Sequence, residues 1–118
     1  MARAGTVAGE VTNESPQARD DLEPARAIRR ALAERGLKAR DVGLVAVWAT
    51  GAGAHGRARQ AVTRGLGRFA TGVVVIDDDP DPFARCEAAV ARGEVAVAVA
   101  LSIDPVRGNR ALAFGRPR

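Results

Sequence analysis

Residues Asp41 to Gly56 read DVGLVAVWATGAGAHG, and this stretch decides the fold. Leu44-Val45-Ala46-Val47-Trp48 is apolar at every position. A strand without apolar–polar alternation is buried on both faces, which is the setting of a central parallel strand. Gly51 and Gly53 then mark a turn. From Arg57 to Leu66, Ala58, Ala61, Val62 and Leu66 recur at helical spacing. A strand, a Gly-rich turn and a helix form the unit from which α/β proteins are built, and the turn is where they place ligands.

The flanks extend the same alternation. Upstream, Glu23-Pro24 opens a helix over Pro24–Arg35, because proline suits the first helical position. Ala25, Ile28, Ala31 and Leu32 share its apolar face, Arg30 and Glu34 stand one turn apart, and Gly36 stops it. Lys38–Asp41 is a polar link. Before the helix, Thr12–Pro24 has the polar composition of a mobile connecting loop, and Gly5–Val11 reads as a first short strand. Downstream, Gly72–Ile76 is a third, continuous strand that ends in the acidic run Asp77–Asp81. Asp81 caps a third helix, Pro82–Arg92, whose many small residues suit packing on more than one side. Val95–Ile103 is a long fourth strand; Arg110–Phe114 returns antiparallel to it as a hairpin. The expected fold is therefore one α/β domain over residues 1–118, ordered β-α-β-α-β-α-β-β around a mixed sheet.

Composition narrows the functional classes. With 118 residues and 47% apolar content, the chain can build one core but not two. The formal net charge is +4, yet the arginines alternate along the chain with Asp and Glu, and no basic block or aromatic platform is present. A nucleic-acid partner is not expected on that ground. The single cysteine, Cys86, excludes an internal disulfide and fits a reducing cytoplasm. No signal-like segment and no membrane-length apolar run appears.

PARAIRRALAERGLKARDVGLVAVWATGAG, residues 24–53, resembles the C-terminal half of β-ketoacyl synthases and chain-length-factor-like proteins of the thiolase superfamily. There a helix of the form AIRxALxxAGL leads to DVDYVxAHGTGT. Asp41-Val42 matches, and Ala46-Val47-Trp48-Ala49-Thr50-Gly51 aligns with the family's xAHGTG. The closing ALSIDPVRGNRALAFGR resembles the family's final hairpin. The resemblance implies a thiolase-like half-domain. It also implies lost chemistry. Trp48 stands where the family's motif has its oxyanion-stabilising His, and an indole N–H donates a hydrogen bond but shuttles no proton. The region matching the family's KSxxGH segment is shortened to Asp77–Pro82, with neither Lys nor His. The nucleophilic Cys belongs to the half that this chain does not match. No catalytic residue, cofactor or metal is thus assigned, and Trp48, Thr50, Gly51 and His55 remain as candidates for lining a ligand pocket.

Cys86, among small helical residues, reads as a buried, inert thiol. The Asp77–Asp81 cluster has the position of a Mg²⁺- or phosphate-accepting loop but lacks an acidic pair after the first strand and a late Lys. Gly51-x-Gly53-x-x-Gly56 has dinucleotide-fingerprint spacing, although it follows the second strand. A lone thiolase-type half leaves an apolar helix face uncovered. Association is therefore expected, as a homodimer or with a ketosynthase-like protein, with acyl carrier protein a further partner. The expected role is a structural or chain-length-shaping one in polyketide or fatty-acid-type biosynthesis. The alternative is a small-molecule or acyl-thioester binding module, or an enzyme of different chemistry, with its site at a dimer interface.

Overall fold

The computed structural model describes residues 23–116. The expected Gly5–Val11 strand and all of the 12–24 loop except Glu23 and Pro24 lie outside them. The described chain runs α1 (Pro24–Glu34), β1 (Val42–Ala49), α2 (Ala54–Leu66), β2 (Val74–Ile76), α3 (Pro82–Ala91), β3 (Val97–Asp104) and β4 (Gly108–Gly115). Short 3-10 turns occupy Ala39–Asp41 and Gly67–Gly72.

Local chemistry sets the ends of these elements. Pro24 opens α1 and Gly36, at φ 67°, closes it. Asp81 caps α3 by accepting a hydrogen bond from the Ala84 N–H at 3.1 Å. Arg30 and Glu34 pair at 3.3 Å, but both are well exposed and the pair adds little.

The sheet order is β2-β1-β3-β4. β1 lies between β2 and β3, parallel to both, and its apolar run from Leu44 to Val47 is buried by helices on both faces of the sheet. β4 returns antiparallel to β3, with Ala98 opposite Phe114 and Ala100 opposite Leu112. One expectation is corrected here. Gly72–Ile76 reads as continuous as β1, yet its start belongs to a 3-10 turn and β2 keeps only three residues at the sheet edge. Val74 is 61% exposed there.

The two faces of the sheet are built differently. On one, α1 and α2 bury Ile28, Leu32, Val62 and Leu66 against Val45, Val47, Val99, Leu101 and Ile103. On the other, α3 lies alone on a floor of Ala46, Ala98 and Ala100, through Cys86 and Ala89. Trp48, Val74 and Leu112 share this second face by strand alternation and are among the exposed large apolar residues. The outer surface of α3, with Ala84 and Ala91 exposed, is not packed on a second side by any described element.

Close approach of α1 and α2 depends on Gly65. A Cβ there would meet Ile28 Cβ and Cγ2 at 3.2 Å and the Ala25 carbonyl at 3.3 Å. Gly65→Val is therefore expected to cost about 1–3 kcal/mol by overpacking, read as a lower urea midpoint at unchanged m-value.

The β3–β4 turn is held by Asp104, whose Oδ1 accepts from the Val106 N–H at 2.7 Å and the Arg107 N–H at 3.1 Å. These bonds hold its carboxyl below the ordinary 3.8. The folded pKa is below the unfolded one, so the stabilisation is complete above the unfolded value and is lost as pH falls through the folded value. The melting-temperature gap between wild type and Asp104→Ala should be constant above about pH 5 and shrink below about pH 3.

Candidate functional site

β1 hands the chain to α2 on one face of the sheet, and β2 hands it to α3 on the other. Adjacent parallel strands whose connections leave in opposite directions open a crevice at their carboxyl ends, where ligands of α/β proteins bind. Here the crevice is flanked by Trp48–Gly53 after β1 and Asp77–Asp81 after β2.

The β1 side is a rigid turn. The Thr50 N–H donates to the Ile103 carbonyl at 2.9 Å, and Thr50 Oγ1 lies 3.4 Å from the same oxygen. Gly51 adopts φ 98°, and a Cβ there would meet Pro105 Cγ at 3.3 Å. Both residues tie the end of β1 to the β3–β4 turn. Trp48 points to the α3 face, in register with Ser102, and is 37% exposed. Arg110, opposite Ser102 on β4, stacks its guanidinium 4.8 Å from the Phe83 ring on the same face.

The β2 side is a web of carboxylates. Asp77 Oδ2 accepts from Arg59 at 2.8 Å, while its Oδ1 is buried without a hydrogen-bond partner. Asp78 takes φ 58°, an unusual conformation for a residue with a side chain. Its Oδ1 lies 3.2 Å from His55 Nε2. Asp79 is buried; its N–H donates to the Val47 carbonyl, and its carboxylate accepts from the Asp81 N–H and from Arg85 Nε at 2.8 Å.

His55 and the Asp cluster, separate in the sequence reading, thus meet across the crevice. Arg59–Asp77 depends on how α2 crosses the sheet, whereas Arg85–Asp79 is local and depends on how the loop folds back onto the first turn of α3. A second correction concerns α2: it starts at Ala54, so His55 lies within its first turn rather than ahead of it. His55 leaves on the α2 face and Trp48 on the α3 face, and no interaction joins them.

The remaining chemistry is sparse. Cys86 is fully buried under α3, and burial above all pushes its thiol up to about 11. It is therefore a neutral thiol at physiological pH. Among the described residues, no group of three or more His, Cys, Asp or Glu is placed to hold a metal ion. The dinucleotide spacing also lacks its physical basis. The third glycine of that fingerprint permits close helix–strand packing, but a Cβ at Gly56 would meet nothing within 4 Å. The fingerprint also needs an acidic side chain after the next strand to take the ribose hydroxyl, and Asp77, which ends β2, is already paired with Arg59. No described helix is long and apolar enough to cross a membrane.

Comparison with known proteins returned no matching family model, no matching curated protein and no matching solved structure.

Proposed function

We propose that the chain is a catalytically inactive, ketosynthase-like half-domain, serving as a structural or chain-length-shaping partner in polyketide or fatty-acid-type biosynthesis. Trp48 carries the reading. It ends the central strand of a helix–DV–strand–Gly turn unit, at the position where the resembling family has its His. Among the described residues, no titratable side chain is hydrogen-bonded to it. The element order from α1 onward, closing on an antiparallel hairpin, agrees with the same resemblance. Trp48, Val74 and Leu112, exposed around α3, supply an apolar surface of the kind that a second half would cover.

Light scattering on the pure protein, alone and mixed with a ketosynthase-type protein, tests this reading. A dimer, or a monomer that shifts to a stable heteromer, supports it. A monodisperse monomer indifferent to the partner overturns it. Trp48→His should create no condensing activity, because Cys86 is a buried, neutral thiol and His55 leaves on the other face, paired with Asp78.

One observation favours the alternative of a small-molecule or acyl-thioester binding module. The His55–Asp78 pair, held by a left-handed Asp78 at the mouth of the crevice, is a polar arrangement that the scaffold reading leaves unused. Thermal stabilisation by acyl-CoA that is lost in His55→Ala would move the assignment there.

A further inference from the structure

The arginines and carboxylates that alternate along the sequence are sorted by layer in the fold. α1 and its flanks carry Arg26, Arg29, Arg30 and Arg35 against Glu23 and Glu34. α2 and the 3-10 turn after it carry Arg57, Arg59, Arg64 and Arg68 with no acidic residue of their own; Asp77 pairs with Arg59 at 2.8 Å and Glu23 lies 3.8 Å from Arg64. All eight arginines are exposed. On the opposite side of the sheet, Asp79–Glu94 holds four acids, Asp79, Asp81, Glu87 and Glu94, against Arg85 and Arg92. We propose that the outer face of α1 and α2 binds the phosphate backbone of double-stranded nucleic acid.

The two helices lie side by side, joined where Arg29 Nη1 donates to the Arg64 carbonyl at 2.9 Å. Between them a cleft of about 230 Å³ is lined by Pro24, Arg57, Gln60, Arg64 and Glu23. The face therefore presents guanidinium groups from two adjoining helices around a groove. Guanidinium is planar, always charged and able to grip phosphate with two N–H groups at once.

The kind of polyanion follows from what the face lacks. A protein interface needs buried aromatic or aliphatic anchors, and Trp48, Val74 and Leu112 all lie on the other face. A membrane-surface helix inserts its apolar side, but those of α1 and α2 are spent on the core. Single strands are held by stacking on aromatic platforms; the one exposed ring here, Phe69, already lies beneath Arg68 at 5.1 Å. A duplex backbone asks only for charge and donors. The surface meets the crevice only through the Arg59–Asp77 pair and stands whether or not the ketosynthase-like reading holds.

Fluorescence anisotropy with a labelled 20-base-pair DNA duplex of arbitrary sequence, from 50 to 200 mM salt, tests the proposal. Binding at 50 mM is expected, weakening log-linearly with salt by about 0.9 per phosphate neutralised. Arg26→Gln/Arg57→Gln/Arg64→Gln should reduce that slope by about 2.7 and weaken binding at 50 mM by at least roughly tenfold. Arg92→Gln/Arg107→Gln/Arg110→Gln removes the same net charge away from this face and should leave the slope unchanged. Should the first triple variant melt early, Arg26→Gln alone should still lower the slope by about one. No binding at 50 mM, equal weakening by both triple variants, or binding of polyglutamate as tight as that of the duplex would each overturn the proposal; the last would assign the face to an acidic protein.

Discussion

Leu101→Ala is expected to cost about 3–4 kcal/mol of folding stability, a large part of what a domain of this size possesses. Leu101 is fully buried on β3, between Val47 of β1 and Ala111 of β4, and faces the α1–α2 layer. Truncation leaves a void among side chains fixed from three elements, so little collapse can fill it. The melting temperature should fall by roughly 15 °C or more. Leu112→Ala makes the informative comparison. Leu112 sits on the neighbouring strand but on the α3 face, and is 38% exposed. Its truncation should cost less than about 1 kcal/mol in an unassociated chain. A cost at Leu112 approaching that at Leu101 would mean that something covers the α3 face in solution.

The second large effect is expected at Ala46→Leu. Ala46 is fully buried in the floor beneath α3, beside Cys86 and Ala89. Small side chains here set the distance between helix and sheet, and three added carbons have no space. The cost should be about 1–3 kcal/mol or somewhat more. It should fall unevenly, because α3 is the only described helix on this face and can lift while the α1–α2 layer stays packed. Cys86 reports the difference. In wild type its buried, neutral thiol should react with iodoacetamide at pH 8 only through opening. In Ala46→Leu the labelling rate should rise by roughly 10–100-fold, matching about 1.4–2.8 kcal/mol of easier opening. Labelling that accelerates only in step with global unfolding would mean that α3 is not an independent unit.

The fold was legible wherever a local rule had no competitor. Pro24, Gly36, Asp81 and the turn at Asp104–Asn109 each punctuate the chain by their own backbone chemistry, and the elements begin and end near them. Leu44–Trp48 announces a central strand because nothing polar interrupts it. The same rule misleads at Val73–Ile76, where an apolar run sits on an edge; apolarity records what a strand is able to bury, not what its neighbours supply. The site was legible only in part. Trp48, Thr50 and Gly51 follow β1 directly, so their placement was local. The meeting of His55 with Asp78, and of Arg59 with Asp77, required the crossing of α2 over the sheet to be known. Charge shows the same limit: arginines that alternate with acids in the sequence come together on the α1–α2 face, while Asp77 folds back from the end of β2 to pair with Arg59.

The edges of the sheet carry one more consequence. β2 is too short to offer more than a few unpaired backbone groups, and along β4 the Ala113 carbonyl already accepts a hydrogen bond from Arg35 Nη1 at 3.1 Å. An incoming strand at that flank must first displace a cation, and then lie beside Arg110. Among the described residues, neither border is an inviting template for strand-by-strand growth. Crowding of the folded chain at high concentration should therefore proceed through side-chain surfaces rather than through cross-β stacking.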